Sequence, residues 1–257
     1  TMLPIEGSEK ENVFALRTVV NADKIRKFVL EANPKNVVIV GTGFIGMELA
    51  ESFSARGIQV TMVELAPHVM PTLDSEMSEE LEKYLREKKV TIVTGDSAAK
   101  FTGSPLVNKV ILKSGRMLET DFVIMAVGIK PNVSLAQKAG VQLGSTGAIQ
   151  VNAKMETSVE DIYACGDCAE SFSIITGKPF YRPLGSTANK MGRVAGDQIT
   201  GGDLEFQGGL GTGIFKVFDM AVAQTGLTEK EALREGYEVT VSHDRKPDKP
   251  EYYDGQD

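Results

Sequence analysis

One stretch of the chain decides the fold: residues 36–46 read NVVIVGTGFIG. The β-branched run at 36–40 predicts a buried strand, and residues 44–56 carry apolar side chains at helical spacing. Three glycines with the spacing G-x-G-x-x-G lie between these two elements. Such a turn is a weak signal by itself, but one that ends a strand and opens a helix is typical of a nucleotide-binding βαβ unit.

Each glycine of this turn has a mechanical reason. Gly41 permits the tight turn, Gly43 lets the backbone approach a pyrophosphate, and Gly46 lets the helix pack close to the strand. Phe44 and Ile45 open the helix, whose free N–H groups and partial positive charge favour a bound phosphate. The sequence therefore predicts a dinucleotide-binding loop. The alternative is a glycine-rich turn that holds no ligand.

Glu64 ends the next predicted strand, 18 residues after Gly46. At that position a carboxylate can accept hydrogen bonds from the ribose diol of a dinucleotide. A 2′-phosphate would require a cation instead, and no Lys or Arg occurs between Arg56 and Lys83. We therefore expect NAD(H) rather than NADP(H).

Strands and helices alternate up to residue 93, which predicts a parallel sheet with right-handed crossovers. Residues 100–120 break this rhythm and are typical of an antiparallel meander, and a buried strand should follow at 121–127. A separate unit at 151–202 should hold a strand at 162–165 and a helix at 187–199. The other predicted elements are helices 20–32 (capped by Asn21 or Asp23) and 75–88 (capped by Asp74), strands 59–64, 90–93, 214–218 and 221–225, and a capping box of Thr228 and Glu231.

Composition excludes several classes of function. With 42% apolar and 25% charged residues in 257, the chain has the make-up of a globular protein of one or two domains. It contains no run of 18 apolar residues, so we expect no membrane partner. A net charge of −7 without a basic block argues against nucleic acid as a ligand. Two cysteines and no signal peptide indicate a reducing, cytoplasmic location.

Three motifs resemble segments of the FAD-dependent pyridine nucleotide–disulfide oxidoreductase family. They read VIVGTGFIGMELA at 38–50, AVGIKPN at 126–132 and TSVEDIYACGD at 157–167. They occur in the family's order and at its spacing, and the resemblance covers essentially the whole chain. Further runs are most similar to coenzyme A-disulfide reductases and NADH oxidases, with peroxidases and persulfide reductases as close alternatives; these runs are 166–170, 183–193 and 225–232.

The resemblance implies that the cofactors are NAD(H) and FAD. Gly128 would end a strand where a Cβ would crowd the nicotinamide ribose, and Glu48 would lie near the junction of flavin and nicotinamide. Both have a plainer alternative. Gly128 could simply turn the chain after a strand, and Glu48 could be a solvated carboxylate on a helix.

The resemblance also implies a flavin site. Asp167 would hydrogen-bond the ribityl chain of FAD, and Gly166 would allow the close approach. Leu184, Gly185 and Ala188 would bring the backbone at the start of a helix close to the isoalloxazine ring. A helix N terminus at that place could stabilise negative charge on a reduced flavin. The alternative for Asp167 is a residue that caps a turn.

Cys165 and Cys168 form a C-x-x-C pair, which can signal a redox dithiol or half of a zinc site. The chain has no other Cys, and its only histidines are His68 and His243, so a second pair of metal ligands is missing. A thioredoxin-type pair should open a helix, whereas Cys165 ends an apolar run. We therefore expect two small buried hydrophobic residues and no metal.

The family pattern divides the chain into four parts. It implies the tail of an FAD domain and a linker helix at 1–33, an NAD(H)-binding domain at 34–151, the C-terminal part of the FAD-binding domain at 152–205, and the start of a dimerisation domain at 206–257. The expected fold class is α/β. It comprises a Rossmann-like NAD-binding domain, built from a parallel sheet and an antiparallel meander, with a partial FAD-binding domain and the start of an α+β interface domain.

A first G-x-G-x-x-G for FAD and the redox-active Cys of the family have no counterpart here. We therefore expect a truncated fragment that has no catalytic residues of its own and is inactive alone. In the whole protein, a homodimer, NADH would reduce FAD, and the electrons would pass to a small-molecule disulfide such as coenzyme A disulfide, or to oxygen, peroxide or persulfide. Tyr252 and Tyr253 resemble a segment that serves the partner's thiol site, although a loose terminal pair is the plainer interpretation.

Two other functions remain open from the sequence. The chain could be a non-catalytic NAD-binding module that acts as a redox sensor or interaction domain. An ordinary nicotinamide dehydrogenase is a weaker alternative, because no His or Lys constellation for acid–base chemistry follows Asp121.

Overall fold

The computed structural model describes residues 2–247, and the chain divides into two compact units, Thr1–Gly226 and Leu227–Asp257. Tyr252, Tyr253 and the end of the domain predicted at 206–257 lie outside the described residues. The helices are α1 Val19–Ala32, α2 Phe44–Ser54, α3 Ser75–Glu87, α4 Ser134–Lys138, α5 Gly185–Ile199 and α6 Glu229–Arg234. The strands are β1 Val13–Phe14, β2 Asn36–Val40, β3 Gln59–Val63, β4 Thr91–Val93, β5 Ala98–Thr102, β6 Lys109–Leu112, β7 Met117–Glu119, β8 Phe122–Met125, β9 Ser171–Phe172, β10 Pro179–Phe180, β11 Gly213–Val217 and β12 Met220–Gln224.

A five-stranded sheet with the order β1-β8-β2-β3-β4 forms the centre of the first unit. All of its neighbouring strands are parallel, which confirms the predicted sheet. The chain runs outward from β2 through β3 to β4 and then returns, by way of β8, to the other side of β2. The strand order therefore reverses between β2 and β8. In open α/β sheets, ligands bind at such a switch point, beyond the carboxyl ends of the strands.

Strand β2 is buried on both faces, which explains its uninterrupted apolar sequence. Val37 and Ile39 join a core cluster with residues of α2 and α3, whereas Val38 and Val40 join a second cluster with residues of β5 and β6. Strands β5, β6 and β7 form an antiparallel sheet, so the predicted meander is confirmed. These two layers fix the position of the loop that follows β2.

Residues 141–206 have a third core, built around α5. The strand predicted at 162–165 is wrong: the structure has only an isolated bridge between Glu156 and Tyr163 in this segment. Its backbone bonds to a nearby turn instead, with the Ala164 N–H donating to the Met155 carbonyl at 3.0 Å. The apolar run is partly buried in the core around α5 and has no neighbouring strand to pair with. Periodicity alone cannot distinguish such a segment from a paired strand.

Two helix starts differ from the prediction. Helix α1 is capped by Thr18, which forms a capping box with Asn21, rather than by Asn21 or Asp23 themselves. Helix α5 begins at residue 185, two residues earlier than expected. In the second unit, α6 begins with the predicted capping box of Thr228 and Glu231. No helix within residues 2–247 is long and apolar enough to cross a bilayer.

Candidate functional site

The nucleotide loop, residues 41–46, joins the carboxyl end of β2 to the start of α2. Gly41 has a φ of +102°, and a Cβ there would overlap the carbonyl oxygen of Ala126. A Cβ at Gly46 would overlap the carbonyl oxygen of Gly41. The fold itself therefore requires both glycines, because one permits an unusual backbone conformation and both permit close backbone packing.

Gly43 differs from its two neighbours. Its φ of −70° suits any residue, and a Cβ there would meet nothing within 4 Å. It is the N-cap of α2, and no side-chain hydrogen bond caps this helix start. An open glycine beside unclaimed N–H groups is the arrangement that a phosphate ligand needs. The protein itself gives no packing reason for a glycine at this position.

The loops that follow β2 and β8 meet at the switch point. The Ala126 N–H donates to the Val40 carbonyl at 2.7 Å, and the Gly41 N–H donates to the Val63 carbonyl at 2.8 Å. Gly128 lies just beyond, exposed, with a φ of +84° and open space around its Cβ position. The left-handed backbone is a sufficient reason for glycine there. A role of Gly128 in binding the dinucleotide stays a prediction.

Glu64 is half-buried, and its carboxylate is anchored to the nucleotide loop. Its Oε2 accepts hydrogen bonds from the Thr42 backbone N–H at 3.0 Å and from the Thr42 hydroxyl at 2.7 Å. Its Oε1 accepts one from the Ala66 N–H at 3.0 Å. Thr42 is fully buried and also accepts a bond from the Met70 N–H at 3.1 Å. Sequence reasoning missed Thr42, although a hydroxyl residue between two glycines of a buried loop is a readable signal.

The remaining residues predicted on α2 have different surroundings. Glu48 is exposed, as a solvated carboxylate on a helix would be. Ile45 is half-buried, whereas Phe44 is 38% exposed and packs edge-on against Phe215 of β11, with ring centroids 5.1 Å apart. The β11–β12 hairpin therefore reaches the nucleotide loop through this aromatic pair.

A second candidate site, the flavin cleft, lies between the 3-10 turn 166–168 and the start of α5. A Cβ on Gly166 would come within 3.5 Å of the Ala188 Cβ, so these two predicted residues face each other. Leu184 is the N-cap of α5 without a capping side-chain bond, and Gly185 has open space at its Cβ position. The structure thus brings together the residues that were predicted to hold the flavin.

Two further residues shape the flavin cleft. Ser171 lines it and is only 7% exposed, yet its hydroxyl has no hydrogen-bond partner in the structure. A buried polar group of this kind calls for a ligand or water, which fits a cofactor at this place. The Tyr181 hydroxyl donates to the Asp167 backbone carbonyl at 2.8 Å, and burial, followed by the nearby Asp167 charge, raises the pKa of Tyr181. The Asp167 side chain itself is exposed.

The two candidate sites adjoin each other at Gly213 of β11. A Cβ there would lie 3.4 Å from Cζ of Phe44 and 4.0 Å from Cδ2 of Leu184. One residue opens the helix of the nucleotide loop, and the other opens the helix of the flavin cleft. Sequence reasoning did not foresee this junction.

Cys165 and Cys168 are half-buried free thiols rather than a disulfide. The Cys168 thiol donates to the Cys165 carbonyl at 3.4 Å, and burial raises the pKa of Cys168 above its ordinary value. A thiol with a raised pKa is a poor nucleophile near neutral pH. No group of three potential metal ligands occurs within residues 2–247. That the pair has only a packing role stays a prediction.

Comparison with known proteins gives one family and several relatives. Residues 1–192 match the model of the pyridine nucleotide-disulphide oxidoreductase family. The chain is 42% identical over 252 residues to the NAD(P)H coenzyme A polysulfide/persulfide reductase of Pyrococcus horikoshii, covering 98% of this chain and 56% of that protein. It is 30% identical over 234 residues to a coenzyme A disulfide reductase of Staphylococcus aureus, covering 91% and 52%.

The solved structures agree with these relatives. A NAD-dependent persulfide reductase from A. fulgidus superposes with a TM-score of 0.96 at 40% identity, covering 100% of this chain and 48% of that one. The chain therefore spans about half the length of the relatives that it matches.

Proposed function

Because this chain belongs to the pyridine nucleotide-disulphide oxidoreductase family, we propose that it is the NAD(H)-binding portion of a flavoprotein that oxidises NADH. One observation carries the proposal: an uncapped helix start and an open glycine, Gly43, lie at the switch point of the parallel sheet, beside Glu64. These groups match two parts of a dinucleotide that need partners: the helix start matches the pyrophosphate, and Glu64 matches the adenosine ribose.

Each group has a distinct task in this proposal. The N–H groups at the start of α2 hold the pyrophosphate, and the Glu64 carboxylate accepts a ribose hydroxyl. The nicotinamide end then extends past Gly128 towards the junction at Gly213, where Phe44 and Leu184 approach each other. This path leads from the nucleotide loop to the flavin cleft. Glu48 lies on the same helix and is proposed to line the junction.

The flavin cleft fits a cofactor on the evidence of its unpartnered Ser171 hydroxyl and its open Gly185. Backbone around Gly166, Leu184 and Ala188 would face the ring system, and Asp167 would hold the ribityl chain. FAD, when bound, supplies an acceptor for the hydride of NADH and passes two electrons to a further acceptor. The chain's own residues bind and orient the two groups, and none of them acts as a catalytic residue.

The electron acceptor and the assembly are proposed from the relatives. They are named for coenzyme A polysulfide or persulfide and for coenzyme A disulfide, and one from Methanocaldococcus jannaschii is named NADH oxidase. We propose a small-molecule disulfide as the acceptor in the whole protein, which would act as a cytoplasmic homodimer. The domain limits at residues 34, 152 and 206 are part of the same proposal.

Titration of the 257-residue chain with NADH, with and without added FAD, tests the proposal. We expect NADH to bind in both cases, and we expect NADH to bleach the flavin absorbance wherever FAD is retained. NADH binding without any FAD retention would favour the alternative, a nucleotide-sensing module. Absence of NADH binding would contradict the proposal altogether.

Cofactor preference offers a second test. Glu64→Arg replaces the proposed ribose acceptor by a cation that suits a 2′-phosphate. We expect the affinity for NADPH to rise and that for NADH to fall. Glu87→Arg, an exposed change of the same type on α3, serves as the matched control. An unchanged preference in Glu64→Arg would contradict the role of Glu64.

A further inference from the structure

Thr42 links the two halves of the nucleotide site. It is the first x of the G-x-G-x-x-G motif, and it is fully buried. Its hydroxyl donates to Glu64 Oε2 at 2.7 Å and accepts from the Met70 N–H at 3.1 Å. Its own backbone N–H donates to the same carboxylate oxygen at 3.0 Å. One side chain thus connects the loop after β2 with the loop after β3.

We propose that Thr42 is a positioning residue that sets the choice between NADH and NADPH by fixing the Glu64 carboxylate. This inference rests on the proposed function, since it concerns the same nucleotide site. Thr42 does not contact the ligand itself. It acts through Glu64, whose orientation decides whether a ribose hydroxyl finds an acceptor and whether a 2′-phosphate meets a negative charge.

The number of acceptor positions on the Glu64 carboxylate supports a positioning role for Thr42. An ionised carboxylate has about four acceptor positions on its two oxygens. Thr42 fills two of them on Oε2, and the Ala66 N–H fills one on Oε1. The remaining acceptor position is therefore on Oε1. A ribose hydroxyl is directed to that oxygen because Thr42 has already occupied the other one.

The same contacts explain why the carboxylate keeps this orientation. Charge-assisted hydrogen bonds are stronger than neutral ones, and the Thr42 hydroxyl is held in turn by the Met70 N–H, which is buried. Without the hydroxyl, one donor to Oε2 is lost and the carboxylate can turn towards solvent. A turned carboxylate neither accepts from the ribose nor repels a 2′-phosphate as strongly.

Thr42→Val tests the inference, because it keeps the shape of the side chain and removes only the hydroxyl. Dissociation constants for NADH and NADPH are measured by calorimetry on the 257-residue chain. The dissociation constant for NADH should rise about tenfold, and that for NADPH should stay the same or fall because the 2′-phosphate is repelled less, so the preference for NADH falls by about tenfold or more. Thr42→Ser, which retains the hydroxyl, should restore the wild-type preference. Thr42→Ala replaces Thr42→Val if circular dichroism finds the latter unfolded.

A double-mutant cycle separates positioning from a merely structural role. In a Glu64→Ala background, Thr42→Val should have no further effect on the preference, since the group through which it acts is gone. A loss of thermal stability with an unchanged preference in the single variant would overturn the inference alone. An equal loss of preference from Thr42→Val in the wild-type and Glu64→Ala backgrounds would also overturn the inference. A wild type that binds no NADH would overturn the proposed function and this inference with it.

Discussion

The nucleotide loop and the flavin cleft both contain glycines, but the two regions depend on them differently. In the nucleotide loop, Gly41 and Gly46 are required by the fold, because a Cβ at either would overlap backbone oxygen atoms. In the flavin cleft, Gly185 begins a helix in open space. The first site is therefore built into a parallel sheet, whereas the second is formed by one turn and one helix. Substitution of these glycines should separate protein stability from ligand binding.

The largest effect is expected for Gly41→Ala. The new side chain would have to adopt a φ near +102° and would collide with the Ala126 carbonyl. Positive-φ strain together with a backbone clash should lower the free energy of unfolding by at least about 3 kcal/mol. Urea denaturation followed by circular dichroism measures this change. A variant within about 1 kcal/mol of wild type would mean that the loop can move away from β8 at little cost.

Gly43→Ala, two residues along the chain from Gly41, should leave the stability unchanged and weaken the binding of NADH. Its backbone suits alanine and its Cβ position is open, so the unfolding free energy should stay near that of wild type. A pyrophosphate packed against this backbone would meet the new methyl group, and the affinity for NADH should fall about tenfold or more. Calorimetry measures the affinity of Gly41→Ala and of Gly43→Ala for NADH under the same conditions. Full NADH affinity in Gly43→Ala would remove the ligand-based reason for this glycine.

Gly185→Ala applies the same logic to the flavin cleft. Alanine is the better helix former, so the variant should gain about 0.5 kcal/mol in unfolding free energy. FAD retention should nevertheless weaken, because the helix start is proposed to approach the isoalloxazine ring. Gly196→Ala on the same helix, also in open space, is the matched control and should keep the flavin. Equal FAD retention in both variants would argue against a flavin at this helix start.

The smallest effect is expected at the ion pair of Lys88 and Asp219, whose charged atoms are 2.8 Å apart. The hydrogen bond with Lys88 lowers the pKa of Asp219, and the same bond raises the pKa of Lys88. Its contribution to stability should therefore be present at neutral pH. It should be lost when pH falls through the lowered carboxyl pKa or rises through the raised amine pKa.

Asp219→Asn checks this expectation. The variant should melt slightly below wild type at neutral pH, and the difference should vanish in acid, where Asp219 is protonated in both folded and unfolded chains. NADH and FAD binding should not change. A loss of either ligand would show that the hairpin β11–β12 transmits changes to the sites, through the contact of Phe215 with Phe44.

The sequence predicted the parallel sheet because its signals are local. A β-branched run, a glycine turn and a helical apolar stripe follow one another along the chain, and right-handed crossovers leave few ways to connect them. The prediction of a strand at 162–165 was wrong because an apolar run forms a strand only where a neighbouring strand pairs with it. The local sequence does not show whether such a neighbour exists. Asn21 proved to be the partner of the true cap, Thr18, rather than the cap itself.

The candidate site also has features that the sequence predicted and features that it did not. The positions of Gly41, Gly43 and Gly46 follow from the motif, and so does the place of Glu64 at the end of β3. The bond from Thr42 to Glu64 joins residues 22 positions apart, and the contact of Phe44 with Phe215 joins two elements that the motif does not connect. The identity of Thr42 can be read from the loop sequence, but the partners of Thr42 and Phe44 depend on the assembled fold and have no local signal.

The central claim is that the nucleotide loop binds NADH at the switch point of the sheet. Backbone amide resonances of the ¹⁵N-labelled chain, recorded during titration with NADH, test it most directly. We predict saturable shifts at residues 42–46 and at Gly128, with smaller changes around Glu64. Shifts confined to other parts of the chain, or no shifts at saturating NADH, would contradict the account.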